Sequence, residues 1–108
     1  MTQRTVPFQV ERALEVLGYN IKTARLRRNM SLQEMAERLG MHRTVLSDAE
    51  RGKPGTAVAV YAGMLWAMDM LPDLQSVADP DSDSHGLALA RSEERERASA
   101  PRAMNNDF

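Results

Sequence analysis

The polar side chains between residues 42 and 48 are of types, and at a spacing, that would let one side of a helix form hydrogen bonds with a ligand. Arg43 and Thr44 lie at the start of a predicted short helix, and Ser47 and Asp48 follow one turn later on its polar side. Such a surface suits the DNA major groove, where an arginine can form a bidentate pair with guanine. The predicted task is sequence-specific DNA binding, with Arg43, Thr44, Ser47 and Asp48 as base-reading candidates.

Residues that flank this segment are suited to bind DNA phosphates. Cationic or hydrogen-bonding side chains, together with the amides at a helix start near Ser31, supply affinity that does not depend on base sequence. An acidic group on the same surface is favourable only if it accepts from a cytosine amine or orients a neighbouring arginine, and Asp48 is such a group. The predicted phosphate contacts are Arg28, Ser31, Gln33, His42, Arg51 and Lys53.

The chain shows no arrangement typical of an enzyme or a metal site. Alternating aspartates in the 79–83 segment are typical of a calcium loop, but Ser84 stands at the glycine position and Ala90 at the glutamate position. Neither His42 nor His85 lies in a Ser or Cys arrangement that suggests an activated nucleophile, and the chain has no cysteine. We therefore expect a protein that is not an enzyme and uses no cofactor or metal.

Charge is unevenly distributed along the 108 residues. Residues 18–68 carry eight basic and four acidic side chains, whereas residues 69–108 carry four basic and nine acidic ones. A basic middle suits phosphates, and the acidic end must serve another purpose. The absence of cysteine, of an apolar run near 20 residues and of a signal-peptide pattern predicts a soluble, cytoplasmic protein.

Apolar periodicity predicts an all-α chain. A first helix begins at Val10 and is expected to break or kink near Gly18. A capping box of Ser31 and Glu34 predicts the start of the second helix, and the glycines at positions 40 and 52 are expected to end the second and third helices. Thr56 is expected to cap a fourth helix, and Pro72 to open a short fifth one.

The predicted organisation has three parts. Residues 1–17 are an N-terminal arm and helical extension, residues 18–78 the DNA-binding domain, and residues 79–108 an acidic, largely disordered, partner-binding tail. An apolar patch on the fourth helix and a short apolar island in the tail are larger than one small domain needs, which indicates an interface. The candidates for this partner or dimer interface are Met64, Trp66, Met70, Leu87 and Leu89.

Three runs of sequence together resemble a known family: residues 31–36, 40–47 and 50–52. Through them, residues 18–70 resemble the lambda-repressor-like (Cro/C1-type, XRE) helix-turn-helix family. The resemblance implies a five-helix domain, a symmetric homodimer on a palindromic operator in double-stranded DNA, and a structural pair of Arg25 with Glu50. Leu32 and His42 depart from the family pattern, at a phosphate-contacting position and a helix-capping position.

A narrower similarity covers residues 52–55, 65–68 and 78–89, which are similar to HipB-type antitoxins. It implies an antitoxin that represses its own toxin-antitoxin operon and neutralises a HipA-type Ser/Thr kinase toxin. One alternative is a stand-alone or phage-type repressor without a toxin. Another is a protein-interaction module that keeps the fold without binding DNA, which Asp48, Leu32 and the net charge of −1 favour.

Overall fold

A computed structural model describes residues 6–99, and its regular structure is entirely helical. Six helices follow in order: α1 (Phe8–Arg27), α2 (Leu32–Leu39), α3 (Arg43–Glu50), α4 (Val58–Ala67), α5 (Leu71–Gln75) and α6 (Ser84–Ser99). No helix among these residues is long and apolar enough to cross a membrane. The predicted all-α class is confirmed.

The chain divides into two compact units, Met1–Leu74 and Gln75–Phe108. The first contains α1 to α4 and most of α5, and the second contains α6. The domain boundaries predicted at residues 17/18 and 78/79 stay predictions. The sequence predicted a largely disordered tail, and the described part of this tail adds the helix α6. The predicted arm falls in part on residues 1–5, which lie outside the described residues.

Helix α1 runs without interruption through Gly18, where the sequence predicted a break or kink. Gly18 is buried, and a Cβ atom added to it would lie 2.5 Å from the carbonyl oxygens of Ala49 and Glu50. The glycine therefore allows the end of α3 to approach the backbone of α1. Gly52 has a comparable role, with a positive φ of 72° and a virtual Cβ only 2.6 Å from Glu15 Cα. These two contacts fix where α3 crosses α1.

Helix α2 begins and ends as its sequence predicts. The amide of Glu34 donates to Ser31 Oγ at 3.0 Å, and the Ser31 amide donates to Glu34 Oε1 at 2.8 Å, so the capping box is present. The hydrogen bonds from the Ser31 backbone and side chain lower the pKa of Glu34. Gly40 follows α2 in the left-handed conformation with a φ of 66° and opens the turn to α3.

Helix α4 begins one residue later than predicted. Its N-cap is Ala57, which has no capping side chain, and the Thr56 hydroxyl oxygen is buried without a hydrogen-bond partner in the described residues. The prediction that Thr56 caps α4 is therefore wrong. Ala57, whose backbone is extended, takes the cap position, and its carbonyl accepts a hydrogen bond from the Val60 amide at 3.0 Å.

The core lies between α1, α2, α3 and α4 and contains three of the chain's eight methionines, Met35, Met64 and Met68. Met64 has 0% exposure, so its side chain is not at the surface and the prediction that it forms an interface with a partner is wrong. The physical reason is its position on α4, where it lies on the same side as the buried residues Val60 and Tyr61.

Replacement of Gly18 by alanine tests the close approach of α1 and α3. An added methyl group would meet backbone carbonyls, which cannot move aside as a side chain does, so we expect the free energy of unfolding to fall by about 1–3 kcal/mol. Gly55→Ala is the matched control, because no atom lies within 4 Å of a Cβ added there. Urea unfolding measures both variants. Equal stability of Gly18→Ala and the parent would contradict the close approach.

Candidate nucleic-acid interface

A buried ion pair sets the position of α3. Arg25 is 7% exposed, and its guanidinium donates from Nε to Glu50 Oε2 at 2.7 Å and from Nη2 to Glu50 Oε1 at 3.0 Å. Its Nη1 donates to the Met30 carbonyl at 2.8 Å. The pair thus joins the end of α1, the loop before α2 and the end of α3 through one side chain. Geometry of this bidentate kind fixes orientation as well as distance.

Helix α3 has a buried side and a polar side. Leu46 and Ala49 are completely buried and hold the helix against the core. Arg43 and Thr44, on the first turn, are exposed, and Ser47 is half-buried one turn later. The first turn of α3 therefore presents donors and hydroxyl groups to the outside, as contacts to base edges require.

Three base-reading candidates share one shallow depression. Arg43, Thr44 and Ser47 line a recess of about 160 Å³ together with Leu32, the first residue of α2. Leu32 was singled out in the sequence only as a departure from a phosphate-contacting pattern. Here it forms an apolar wall beside the polar groups, and an apolar side chain in this place can contact a thymine methyl group.

Asp48 has cationic partners within its own chain. Its Oδ1 atom accepts from Arg51 Nη2 at 2.8 Å and lies 3.5 Å from Lys53 Nζ. The Lys53 amide also donates to the Asp48 carbonyl at 3.1 Å. The carboxylate therefore orients an arginine, which was one of the two conditions under which an acidic group is favourable on this surface. It also holds two predicted phosphate contacts together at the end of α3.

The remaining phosphate candidates lie at helix ends. Ser31 is the N-cap of α2, Gln33 is exposed in its first turn, and His42 is the exposed N-cap of α3 with no side-chain capping bond. The first amides of a helix have no partner within it and carry the positive end of the helix dipole. The start of α3, which has no capping side chain and no acidic residue in its first turn, is therefore suited to phosphate oxygens, whereas the capping box already occupies part of the start of α2.

Arg28 lies in a different environment. Its Nη1 donates back to the Ala24 carbonyl at 3.0 Å, and the side chain lines an open depression that also contains Glu34 and Glu37. Two carboxylates make this depression a less favourable place for a phosphate than the end of α3. The contact from Arg28 to DNA stays a prediction, as do the other predicted contacts.

The interface candidates differ in exposure. Trp66 is 56% exposed on α4, and Met70 is half-buried against the core. In the second unit, Leu89 is 58% exposed and Leu87 is half-buried on α6. Sequence reasoning missed Val58, which is 68% exposed on α4. The sequence could have indicated this exposure, because α4 has no charged residue and one side of it must therefore present apolar residues to the outside.

Comparison with known proteins finds a match for the central region. Residues 21–60 match the family model described as helix-turn-helix, which covers the end of α1, all of α2 and α3, and the start of α4. Searches of curated proteins and of solved structures found no match. The match supports the lambda-repressor-like, XRE-type resemblance, and the narrower similarity to HipB-type antitoxins stays a prediction.

Loss of one partner of the buried pair should destabilise the domain strongly. Glu50→Gln leaves the Arg25 charge buried without a carboxylate, which typically lowers the free energy of unfolding by about 3–5 kcal/mol. The control is Glu15→Gln in the exposed ion pair with Arg12, where a change of about 0–1 kcal/mol is expected. Urea unfolding at pH 7 compares them. Similar losses in both variants would show that the buried pair does not hold α3.

Proposed function

We propose that this chain, a DNA-binding transcription regulator by virtue of its helix-turn-helix domain, is a repressor that binds a palindromic operator as a homodimer. The observation that carries the proposal is the polar first turn of α3, where Arg43, Thr44 and Ser47 line one depression on the outside of the matched region. It supports α3 as the helix that enters the major groove.

The proposed contacts divide into two classes. Arg43 pairs with a guanine through two hydrogen bonds, and Thr44 and Ser47 contact neighbouring base edges. The start of α2 and the cations Arg51 and Lys53 bind phosphates on either side and set the position of α3 in the groove. Because Asp48 offsets part of the cationic charge, α3 relies more on its base contacts than an entirely basic helix does.

We further propose that the protein is the antitoxin of a HipA-type Ser/Thr kinase and represses the operon that encodes both. This rests on the similarity of residues 52–55, 65–68 and 78–89 to HipB-type antitoxins. The exposed leucine of α6 and the acidic residues before it offer the kinase a surface that the DNA contacts do not use. A stand-alone repressor, which has no kinase to bind, would not need a partner-binding surface on the second unit.

Replacement of Arg43 by alanine tests the base-reading role. We expect a loss of about 1–3 kcal/mol of operator affinity, which is about 5-fold to 150-fold, because a bidentate contact to guanine is removed. The control is Arg12→Ala, which removes the same charge from an exposed ion pair on α1 that is not among the predicted DNA contacts. Gel shift with the promoter of the chain's own operon, at a stated moderate salt concentration, measures both.

The outcomes of this test separate the alternatives. Equal affinity of Arg43→Ala and the parent would remove Arg43 from the reading surface. Parent affinity that does not fall with rising salt would contradict phosphate binding altogether and favour an interaction module without DNA.

The antitoxin role is tested in the full chain by changes confined to α6. Leu87→Ser with Leu89→Ser should reduce capture of the operon's kinase in a pull-down, because apolar contact area is lost. Operator binding should stay unchanged, because neither leucine is a predicted DNA contact. Ala88→Ser with Ala90→Ser in the same helix is the matched control. Full kinase capture by the leucine variant would exclude α6 as the contact, and an operon without a kinase would favour the stand-alone repressor.

A further inference from the structure

Helix α4 is apolar on the side that faces the core and also on the side that faces outwards. Its ten residues include no charged side chain, and Val60, Tyr61, Met64 and Leu65 fill the buried side. On the opposite side, Val58 is 68% exposed and Trp66 is 56% exposed, with the half-buried Ala62 between them. A helix that is apolar all round is normally buried all round. The outer side of α4 therefore needs a cover.

The outer residues form a ridge that is complementary to itself. Val58, Ala62 and Trp66 are spaced by four residues, which is the row that interdigitates in the commonest class of helix packing. If a second α4 crosses this row in the antiparallel direction at Ala62, each Trp66 meets the Val58 of the other copy. The large side chain then lies opposite the smaller one, and the alanine at the crossing lets the two backbones approach.

The ends of α4 are complementary in charge. Its N-terminus has no capping side chain and no acidic residue in the first turn, so its amides keep their positive partial charge. Asp69 is exposed just beyond the C-terminus, at the negative end of its own helix dipole, which Arg38 Nη1 offsets in part by donating to the Ala67 carbonyl at 3.3 Å. An antiparallel second copy brings each Asp69 carboxylate near the uncapped N-terminus of the other α4. There the helix dipole is positive and favours a negative charge.

We propose that the outer side of α4, defined by Val58, Ala62 and Trp66, is the surface through which two copies of this chain pair with antiparallel α4 helices. A two-fold axis passes near Ala62, and both copies use the same residues, as in an isologous dimer. The inference rests on the homodimer of the proposed function and assigns its contact surface. The α3 surface remains separate from it, because no base-reading candidate lies on α4.

Cysteine cross-linking in the full chain tests this geometry without DNA, against a background of no native cysteine. Ala62→Cys places two thiols beside the axis and should give disulfide-linked dimer as the main product of mild oxidation. Val58→Cys should give little, because two copies of residue 58 are about 12 Å apart along antiparallel helices, twice the span of a disulfide. Tyr19→Cys on α1 is the control for random collision, because Tyr19 is 67% exposed, about as accessible as Val58 and more accessible than Ala62.

Two further measurements use residues of the proposed surface. The single Trp66 should shift its fluorescence to shorter wavelength as protein concentration rises and the dimer forms. Asp69→Asn should weaken self-association several-fold in sedimentation equilibrium, because it removes the charge from the partner's helix end. Asparagine tolerates the positive φ of 59° at this position, so circular dichroism should show unchanged helix content.

Each alternative occupant gives a different result. Equal cross-linking of Ala62→Cys and Val58→Cys would mean parallel helices and overturn the proposal. A dimer in which Ala62→Cys does not cross-link uses another face, and this also overturns it. A monomer whose Trp66 emission shifts only when the kinase is added would assign the surface to the kinase. None of these measurements contains DNA. A failure of the proposed dimer surface can therefore be distinguished from a failure of DNA binding, which the gel shift measures.

Discussion

The ion pair of Arg25 with Glu50 is the interaction on which the position of α3 depends. Both side chains are less than one-tenth exposed, so each charge needs its partner to offset the loss of water. The third donor of Arg25 binds the Met30 carbonyl, which adds the loop between α1 and α2 to the same arrangement. Together with the close contact at Gly18, the pair gives α3 one angle relative to α1, and the polar first turn of α3 takes its direction from that angle.

Around α3, acidic and basic groups are arranged to cooperate. Asp48 on the helix that would face DNA is paired with Arg51 and Lys53, so the carboxylate is not an isolated negative charge. A protein with a net charge of −1 can therefore still have a locally positive surface, where cationic side chains and the N-terminus of a helix lie near the base-reading candidates. Net charge alone therefore says little about whether such a chain binds a polyanion.

Helix α4 gives this small domain a second kind of surface. The polar groups of α3 suit a hydrated, charged ligand, whereas the outer ridge of α4 suits dry contact with another protein. The two surfaces lie on different helices held by one core, in which Met35 and Met64 are completely buried. Because the two surfaces share no residue, a substitution on one of them need not change the other.

The sequence by itself determined the features that depend on neighbours along the chain. The capping box of Ser31 and Glu34, the glycine stop at Gly40 and the two-sided pattern of α3 are local, and they were predicted correctly. The polar residues that line the recess were also predicted, because helical periodicity alone places Arg43, Thr44 and Ser47 on one side. Only the tertiary structure decided what depends on distant segments. Gly18 predicts a helix break as long as the packing of α3 against it is unknown. Met64 lies at the edge of the apolar stripe of α4, and the sequence grouped it with Trp66 in an interface patch because the helix has no charged residue to mark its outer side. Which side of such a helix is buried is decided by the helices that pack on it, and these come from distant parts of the chain.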